Sequence, residues 1–224
     1  MDDRPYVLLS CAISVDGYLD DARPDRLILS SEADLDRVDD VRAGVDAVLV
    51  GANTVRRDDP RLVLRSPARQ AARVAGGLPP DPAKVTVTRT GDLDPAARFF
   101  TVGFADKLVY AATDAVAKSR ANLNGLAVVV DAGPLPDLRR ILKDLADRGV
   151  RRLMVEGGSG ILSWFLTEGY ADELHLVVAP LLVGEPAAPR WLRPSVPART
   201  LRLLETRQLG GCVLLRYALE RAGG

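Results

Sequence analysis

The feature that most constrains this chain is a glycine-rich segment, Glu156–Gly160, which lies between a short apolar run and a helical pattern. The apolar run before it, Leu153–Val155, has the composition of a buried strand. After it, apolar residues recur at helical spacing, namely Ile161, Leu162, Phe165 and Leu166. A strand that passes through a tight turn into a helix is the repeating step of an α/β fold, so we expect a sheet flanked by helices.

The same segment has the chemistry of a phosphate site. Backbone N–H groups at the start of a helix lie at its positive end, and glycine lets a phosphate approach them without a Cβ in the way. Glu156 adds a carboxylate at the tip of the strand. The residue order matches neither the dinucleotide fingerprint Gly-x-Gly-x-x-Gly nor a P-loop. Two interpretations therefore stay open: a phosphate-binding turn, or a turn in which glycine only relieves steric strain.

Short apolar runs alternate with helical patterns along most of the chain. Ser31–Asp34 matches a helix capping box, and Gly44 fits the end of that helix. A second helix is predicted over residues 138–145, where leucine and isoleucine recur at helical spacing, and Gly149 ends it. The predicted strands are Tyr6–Ile13, Ala47–Val50, Val85–Thr88, Leu108–Ala111, Ala127–Val130, Leu153–Val155, Glu173–Ala179, Leu201–Glu205 and Cys212–Leu219.

The last two predicted strands are joined through Gly210 and Gly211, which is typical of an antiparallel hairpin. We therefore predict a single α/β domain over residues 1–224, with a mixed, mostly parallel sheet, flanking helices and an antiparallel C-terminal hairpin. Two stretches follow neither period, Ser66–Lys84 and Gly184–Arg199, and we interpret them as long irregular loops. Loops of this length are either binding loops or solvated surface segments, and the sequence leaves both open.

Composition excludes several classes of function. Thirty basic residues balance thirty acidic ones, so no net field of the molecule favours nucleic acid or an anionic membrane. No apolar run approaches the roughly 20 residues of a membrane-spanning helix, and the start of the chain is too polar for a secretory signal. Cys11 and Cys212 each lie in an apolar run, and we interpret both as core residues. With a single histidine and no Cys-x-x-Cys pair, we expect no metal site and a cytoplasmic protein.

A second polar cluster follows the predicted strand Ala47–Val50, and we interpret residues 51–62 as a polar turn. Ligands of open α/β sheets bind beyond the carboxyl ends of the strands, and both this cluster and the turn after Glu156 lie at such ends. Asp59 precedes a proline, which is ordinary turn chemistry, so Asp58 is the more informative carboxylate. The charged segment Asp34–Arg42 is interpreted as a mostly exposed helical face.

Three segments together resemble a known enzyme family: Leu9–Gly17, Val45–Arg65 and Leu153–Gly184. Their order and spacing are similar to the C-terminal reductase domain of the bifunctional riboflavin-biosynthesis deaminase–reductases. The resemblance implies a dihydrofolate-reductase-like fold and a reductase without a deaminase domain, because nothing here matches the zinc-binding motifs of the deaminase. It also implies a homodimer that uses NADPH to reduce the ribosyl group of 5-amino-6-(5-phosphoribosylamino)uracil to the ribityl form in riboflavin biosynthesis.

The resemblance assigns roles to individual residues. It implies that NADPH is bound by Ala12, Thr54, Asp58, Gly158, Ser159, Gly160, Ile161 and Leu162. It implies that the phosphorylated pyrimidine substrate is bound by Arg42, Leu62, Arg65 and Glu156. Asp58 and Glu156 are the expected catalytic residues. Asp58 would stabilise positive charge on the imine that receives the hydride, and Glu156 would accept hydrogen bonds from pyrimidine amino groups.

This chain departs from the family pattern at several positions. Ser10 stands where a lysine is common, Arg26 where a serine is, and Ile28 where an aromatic residue is. After the third predicted strand it carries Arg89, which is either a cofactor-binding partner of the 2′-phosphate of NADPH or a solvated arginine. Two alternatives to the riboflavin reductase therefore stay open: a sister NADPH-dependent reductase with another carbonyl or imine substrate, and an inert nucleotide-binding protein.

Overall fold

The computed structural model describes residues 4–21, 23, 27–194 and 196–220. By its internal contacts the chain divides into two compact units, Met1–Pro5 with Asp39–Met154 and Tyr6–Val38 with Val155–Gly224. The strands are β1 Tyr6–Ser14, β2 Ala47–Gly51, β3 Ala83–Thr88, β4 Lys107–Ala111, β5 Val128–Asp131, β6 Arg152–Glu156, β7 Glu173–Ala179, β8 Leu201–Leu209 and β9 Cys212–Leu219. The α-helices are α1 Glu32–Ala43, α2 Ala52–Asp58, α3 Pro67–Ala75, α4 Arg98–Thr101, α5 Val116–Leu123, α6 Leu138–Asp147 and α7 Ser159–Thr167.

The first unit is built on strands in the order β5-β4-β3-β2-β6. The pairs β2–β3, β3–β4 and β4–β5 are parallel, and all five residues of β2 are buried. β5 and β6 lie at opposite ends of this strand order, and the chain passes from one to the other through α6. Its first turn is capped by the Asp137 carboxylate, which accepts a hydrogen bond from the backbone N–H of Arg140. The buried residues of α6 are those at the predicted spacing, Leu138, Ile141, Leu142 and Leu145.

The second unit is built on strands in the order β1-β7-β9-β8. β1 pairs parallel to β7, whereas β7–β9 and β9–β8 are antiparallel. The turn between β8 and β9 contains Gly210 at φ 62°, so the predicted hairpin is confirmed. An apolar cluster on this sheet includes Leu29, Val177, Leu209 and Leu214.

The predicted fold class is confirmed. Across the described residues the chain is an α/β structure of nine strands and seven α-helices, with mostly parallel pairing and an antiparallel C-terminal hairpin. Cys11 and Cys212 are buried free cysteines, as predicted. Burial raises the pKa of the Cys11 thiol to about 12, which keeps that thiol protonated and chemically inert. The assignment of residues 1–224 to one reductase domain stays a prediction.

The prediction of an irregular loop over Ser66–Lys84 is wrong for the part that forms α3. Ser66 is the N-cap, its hydroxyl accepts from the backbone N–H of Arg69, and Pro67 occupies the first helical position. This start signal was present in the sequence. It was missed because no apolar stripe follows it, and apolar spacing is the primary signal of a helix.

The side chain that α3 buries is Arg73 rather than an apolar residue. Its Nε donates to the carbonyl of Pro79 at 2.8 Å, and its Nη1 donates to the carbonyls of Ala43 and Val45, each at 2.8 Å. Burial lowers the pKa of Arg73, and the guanidinium is kept satisfied by backbone oxygens. α3 is therefore attached to the first unit by a buried arginine.

The interpretation of Asp34–Arg42 as a mostly exposed face is also wrong. Asp34 and Arg37, which belong to the second unit, are 1% and 7% exposed, and Asp39, which belongs to the first, is 2% exposed. Arg37 Nη2 lies 2.7 Å from Asp34 Oδ1, one helical turn away. Charged residues this deeply buried need partners of opposite charge; Asp34 and Arg37 pair within α1, whereas the partner of Asp39 is Arg69, 30 residues along the chain.

Arg37 connects α1 to the strands of the second unit through the only histidine of the chain. Its Nη1 lies 3.1 Å from Nδ1 of His175, and Nε2 of His175 lies 2.8 Å from Oε1 of Glu173. Nε of Arg216 also lies 3.0 Å from Nε2 of His175, so guanidinium groups contact both ring nitrogens and Glu173 contacts the second of them. These contacts give His175 a structural role between α1 and β7.

The same network continues to the C-terminal hairpin. Arg216 on β9 donates from Nη2 to Glu173 at 2.7 Å and from Nη1 to Glu205 on β8 at 2.6 Å. The hydroxyl of Tyr6 on β1 also donates to Glu173, at 2.8 Å. Burial acts to raise the pKa of Glu173, but the hydrogen bonds from His175, Arg216 and Tyr6 outweigh it and lower the pKa to about 2. This set of contacting side chains is named the α1–hairpin network below; it comprises Asp34, Arg37, His175, Glu173, Tyr6, Arg216 and Glu205.

We expect the free energy of unfolding to fall as the pH is lowered from about 7.5 to about 5.5. Burial, assisted by Arg37 and Arg216 and opposed by Glu173, lowers the pKa of His175 below the ordinary 6.5. As the pH falls, His175 is therefore protonated in the unfolded chain before it is protonated in the folded one. The contribution of neutral His175 to the free energy of unfolding is complete above pH 6.5 and is lost as the pH falls through the folded-state pKa. The slope is at most about 1.4 kcal/mol per pH unit. Urea unfolding at several pH values measures it.

His175→Gln is the control for this pH dependence, since it removes the titration while keeping a polar side chain. The Glu173 contribution is constant over the same range, because it is lost only as the pH falls from 4.5 towards about 2. An equal slope in wild type and variant would show that the pH dependence arises elsewhere.

Candidate active site

Thr54 and Asp58, both predicted to contact a cofactor, lie on a helix rather than in a turn. The prediction of a polar turn over residues 51–62 is wrong for Ala52–Asp58, which forms α2 directly after β2. Thr54 and Asp58 are four residues apart, so they lie on one face of the helix, and both are half-buried. Val55 is a buried residue of α2, and the C-cap of this helix, Asp59, adopts the left-handed conformation. A hydroxyl and a carboxylate are thus presented together at the carboxyl end of a parallel strand.

Asp59 has a structural role, in agreement with its interpretation as turn chemistry. Its carboxylate accepts from the backbone N–H of Arg98 at 2.6 Å, and its carbonyl accepts from Nε of Arg98 at 2.9 Å. These bonds tie the end of α2 to the start of α4. The contacts of Asp59 are therefore structural.

Leu62, a predicted substrate contact, has an unusual backbone. Its φ is 48°, the left-handed region that bulky residues avoid, and its side chain is 3% exposed. Residues held in such conformations cluster at functional sites, where the surrounding structure fixes them. This conformation could not be predicted, because leucine is not a residue that favours it.

Arg42 and Arg65, the two arginines predicted to bind substrate, lie on segments that the structure brings together. Arg42 is in the last turn of α1, and Asp39, three residues before it, accepts from the backbone N–H of Arg65 at 2.5 Å. Arg65 itself is exposed. Two guanidinium groups on adjoining segments suit a phosphate monoester.

Arg89 lies in the loop after β3, and that loop is held against α2. Nη1 of Arg56, on α2, donates to the carbonyl of Asp92 at 2.9 Å. The Asp92 carboxylate is hydrogen-bonded to Lys118, which lowers the pKa of Asp92, and the hydroxyl of Thr88 accepts from the N–H of Gly91 at 3.0 Å. Arg89 is exposed at the same loop as two further cationic side chains. The arrangement suits an anionic group beside α2.

The remaining predicted residues belong to the second unit, where the glycine turn has the expected form. Gly157 and Gly158 have φ angles of 73° and 75°, and α7 begins at Ser159. The carbonyl of Gly158 accepts from the N–H groups of Ile161 and Leu162 at 3.1 and 3.2 Å, which closes the first helical turn. A non-glycine residue at either left-handed position would be strained. The predicted strand–turn–helix step is confirmed.

Arg193 is a residue at this turn that sequence analysis missed. A Cβ added at Gly160 would come within 2.9 Å of Nη2 of Arg193, so a side chain there would displace this exposed guanidinium. The backbone N–H of Arg193 donates to the hydroxyl of Ser163 at 2.9 Å, which holds its segment against α7. Arg193 lies in the stretch Gly184–Arg199, whose described part contains no helix or extended strand, as predicted. A positive charge at the positive end of a helix is suited to binding an anion.

The remaining positions to be placed are Ala12, Glu156 and the three residues that depart from the family pattern. Ala12 is half-buried on β1, and Glu156 is the half-buried last residue of β6. Ser10 is buried and lies opposite His175 in the β1–β7 register. Ile28 is 78% exposed, and Arg26 lies outside the described residues.

Comparisons with known proteins agree on one family. The model of the RibD C-terminal domain matches residues 5–215. The chain is 33% identical to the 2,5-diamino-6-ribosylamino-4(3H)-pyrimidinone 5′-phosphate reductase of Archaeoglobus fulgidus, over 81% of this chain and 83% of that protein. It is 36% identical to the Methanothermobacter thermautotrophicus reductase of the same name, over 81% and 80%. Among solved structures, Acinetobacter baumannii RibD has a TM-score of 0.81 and 25% identity, and the match covers 97% of this chain but only 58% of that one.

Proposed function

The chain belongs to the RibD C-terminal domain family, and we propose that it is an NADPH-dependent reductase of riboflavin biosynthesis. Its substrate is a phosphorylated ribosylaminopyrimidine, whose ribosyl group it reduces to a ribityl group. The observation that carries this proposal is the extent of the family match, because residues 5–215 include every candidate site residue. The curated relatives are named as pyrimidine reductases, which is an oxidoreductase activity.

Two substrates that differ at one ring position need to be compared. The resemblance in the sequence points to 5-amino-6-(5-phosphoribosylamino)uracil, which carries an oxo group at position 2. The names of the two archaeal reductases specify the 2,5-diamino compound, which carries an amino group there. Both present the same ribosyl group and the same phosphate, so the reaction at the sugar is common to both.

The chemistry is a hydride transfer to an imine. When bound, the nicotinamide supplies a hydride that forms a C–H bond at the first carbon of the ring-opened sugar, while a proton completes the amine at the adjacent nitrogen. Arg42 and Arg65 bind the substrate phosphate, and Glu156 accepts hydrogen bonds from the pyrimidine amino groups. Asp58 stabilises the positive charge of the protonated imine. The protein thus aligns the reactants and places charge.

Two separate features of the chain have the chemistry to bind phosphate groups of a nicotinamide dinucleotide. The left-handed Gly157 and Gly158 allow close approach to the backbone, and the guanidinium of Arg193 lies at the first turn of α7. These features suit a pyrophosphate. Arg89 lies in the loop after β3, which Arg56 of α2 and Lys118 of α5 both contact through Asp92. Its guanidinium is suited to binding the 2′-phosphate that distinguishes NADPH from NADH. Thr54 and Ala12 are assigned to the cofactor by family resemblance.

The assay that tests this function mixes the purified protein with NADPH and each of the two pyrimidines, and follows the loss of absorbance of the reduced cofactor. Turnover of either compound, with the ribityl product identified by mass spectrometry, supports the proposal, and the ratio of the two kcat/KM values identifies the preferred substrate. NADPH binding without turnover would favour a sister reductase or an inert nucleotide-binding protein. A chain that binds no NADPH would overturn the proposal.

Gly158→Ala is expected to weaken NADPH binding by about tenfold or more, equivalent to about 1.4 kcal/mol. An added Cβ occupies space needed by the pyrophosphate, and it also forces alanine into the left-handed region at φ 75°. Gly169→Ala is the matched control, because Gly169 also has φ 75°, and no atom lies within 4 Å of its Cβ position. Fluorescence titration with NADPH compares the two. Equal affinity in both variants would refute the placement of the pyrophosphate.

The same family membership supports a homodimer that works in the cytoplasm. Exposed leucines Leu182 and Leu203 and the exposed Val213 give the second unit apolar surface for a second copy. Buried free thiols at Cys11 and Cys212 suit a reducing compartment. Sedimentation equilibrium and cell fractionation test these two points. Within the described residues, no helix is long and apolar enough to cross a bilayer.

A further inference from the structure

The segment between α2 and α3, residues 59–66, is held by a buried carboxylate on α1. Asp39 Oδ1 accepts from the backbone N–H of Arg65 at 2.5 Å, and Oδ2 accepts from the N–H of Ser66 at 3.1 Å. Nη1 of Arg69 donates to the same Oδ2 at 3.0 Å, which balances the buried negative charge. Charge-assisted bonds to two consecutive amides fix the local backbone more firmly than neutral ones would.

A second buried carboxylate extends this arrangement. Asp81 is 5% exposed, and its Oδ1 accepts from the backbone N–H of Leu64 at 2.7 Å. Together Asp39 and Asp81 bind the N–H groups of three consecutive residues, Leu64, Arg65 and Ser66. These amides lie outside any strand ladder, so side chains supply the acceptors that regular structure provides elsewhere.

The held segment carries a strained residue and a candidate substrate contact. Leu62, two residues before the first bound amide, is fixed in the left-handed region. Conformations of this kind cost of order 1–3 kcal/mol and persist only where the surroundings over-determine them. The Asp39 and Asp81 carboxylates supply such surroundings. The segment is therefore preorganised, and Arg65 starts from a fixed backbone position.

Helix capping does not account for Asp39. The first turn of α3 is already capped by its own N-cap, since the Ser66 hydroxyl accepts from the N–H of Arg69. The shortest bond of Asp39 goes to Arg65, which precedes that cap. What this bond adds is a defined position for Arg65.

We propose that Asp39 is a positioning residue, whose carboxylate fixes the backbone of Arg65 so that the Arg65 guanidinium meets the phosphate monoester of the substrate. This proposal rests on the proposed function, because it needs a phosphorylated substrate. Asp39 touches neither reacting atom, and it acts on substrate recognition through Arg65. Displacement of a binding group by about 1 Å can cost as much as 100-fold, so a loosened Arg65 has a measurable effect.

The test compares the phosphorylated substrate with its dephosphorylated nucleoside in wild type and in Asp39→Asn. The amide of asparagine replaces one acceptor oxygen by a donor, so one of the two backbone bonds is lost. We expect KM for the phosphorylated substrate to rise roughly tenfold, with kcat within about threefold and NADPH affinity unchanged. The nucleoside is expected to react with the same kcat/KM in both proteins. The phosphate preference, which is the ratio of kcat/KM for the phosphorylated substrate to kcat/KM for the nucleoside, therefore falls in the variant.

Asp40→Asn is the matched control. Asp40 is the neighbouring, exposed carboxylate, and it contacts the same Arg69 at 3.3 Å without a recorded bond to Arg65 or Ser66. We expect it to keep the phosphate preference of the wild type. If Asp39→Asn fails to fold, Asp39→Glu replaces it, because it keeps the buried charge for Arg69 and displaces both acceptors by one methylene. The same loss of phosphate preference is expected.

An equal loss of kcat/KM on both substrates, or a lowered Tm with the phosphate preference intact, would overturn the positioning role. Either result would show that Asp39 only stabilises the fold. Wild-type protein that reduces neither compound would instead overturn the proposed function, so the two failures are distinguishable.

Discussion

Asp58→Asn is expected to lower kcat by roughly 100-fold or more while NADPH affinity stays within a few fold. Asparagine has the size and most of the hydrogen-bonding capacity of aspartate, so α2 and its contacts are retained. It lacks the negative charge, and the positive charge that develops on the imine then has no counter-charge from this residue. Steady-state kinetics with NADPH and the preferred pyrimidine, together with a cofactor titration, measure both effects.

Asp59→Asn is the control for this experiment. Asp59 is adjacent in sequence and caps α2 with φ 40°, a conformation that asparagine adopts readily. Its carboxylate binds Arg98 in the structure, so the variant loses an exposed ion pair and is expected to keep its turnover. A native rate in Asp58→Asn, or equal losses in both variants, would remove Asp58 from the reaction.

Arg37→Met is expected to destabilise the protein by about 3–5 kcal/mol, because it breaks a buried ion pair and leaves a charge uncompensated. Methionine approximates the length of the aliphatic stem but leaves Asp34, which is 1% exposed, without its guanidinium partner. It also removes the donor to Nδ1 of His175 and so breaks the α1–hairpin network. For a chain of this length the loss corresponds to a fall in Tm of roughly 6–20 °C. Thermal unfolding by circular dichroism measures it.

Lys143→Met is the corresponding surface change. Lys143 pairs with Asp147 one turn away on α6, and both side chains are more than half exposed. Removal of such a pair is expected to change stability by about 0.5 kcal/mol or less. Similar values for Lys143→Met and Arg37→Met would show that the buried network contributes no more than an exposed pair.

Apolar periodicity predicted the parts of the fold that apolar burial stabilises. β7 was predicted with its observed bounds, Glu173–Ala179, and α6 was predicted from the four residues that it buries. The failures are elements that bury charge. α3 was missed because it buries Arg73, and Arg37 and Asp39 were interpreted as exposed because His175 and Arg69, which contact them, lie far along the chain. His175, for example, lies 138 residues from Arg37.

The candidate site divides in a similar way. Glycine at the ends of buried strands indicated that Thr54, Asp58 and Gly158 follow strand ends, although the segment after β2 is a helix and not the predicted turn. Arg42 needed the family resemblance, since nothing in its local sequence distinguishes it. Leu62 could not be predicted as strained, because leucine does not favour the left-handed region and its neighbours in the sequence carry no sign of it.

The close approach of Arg193 to Gly160 has a consequence for engineering this enzyme. A side chain at position 160 would overlap the Arg193 guanidinium, and that exposed side chain would have to move aside. A library that varies residue 160 alone therefore also changes where this positive charge lies at the start of α7. Varying both codons together separates the two effects.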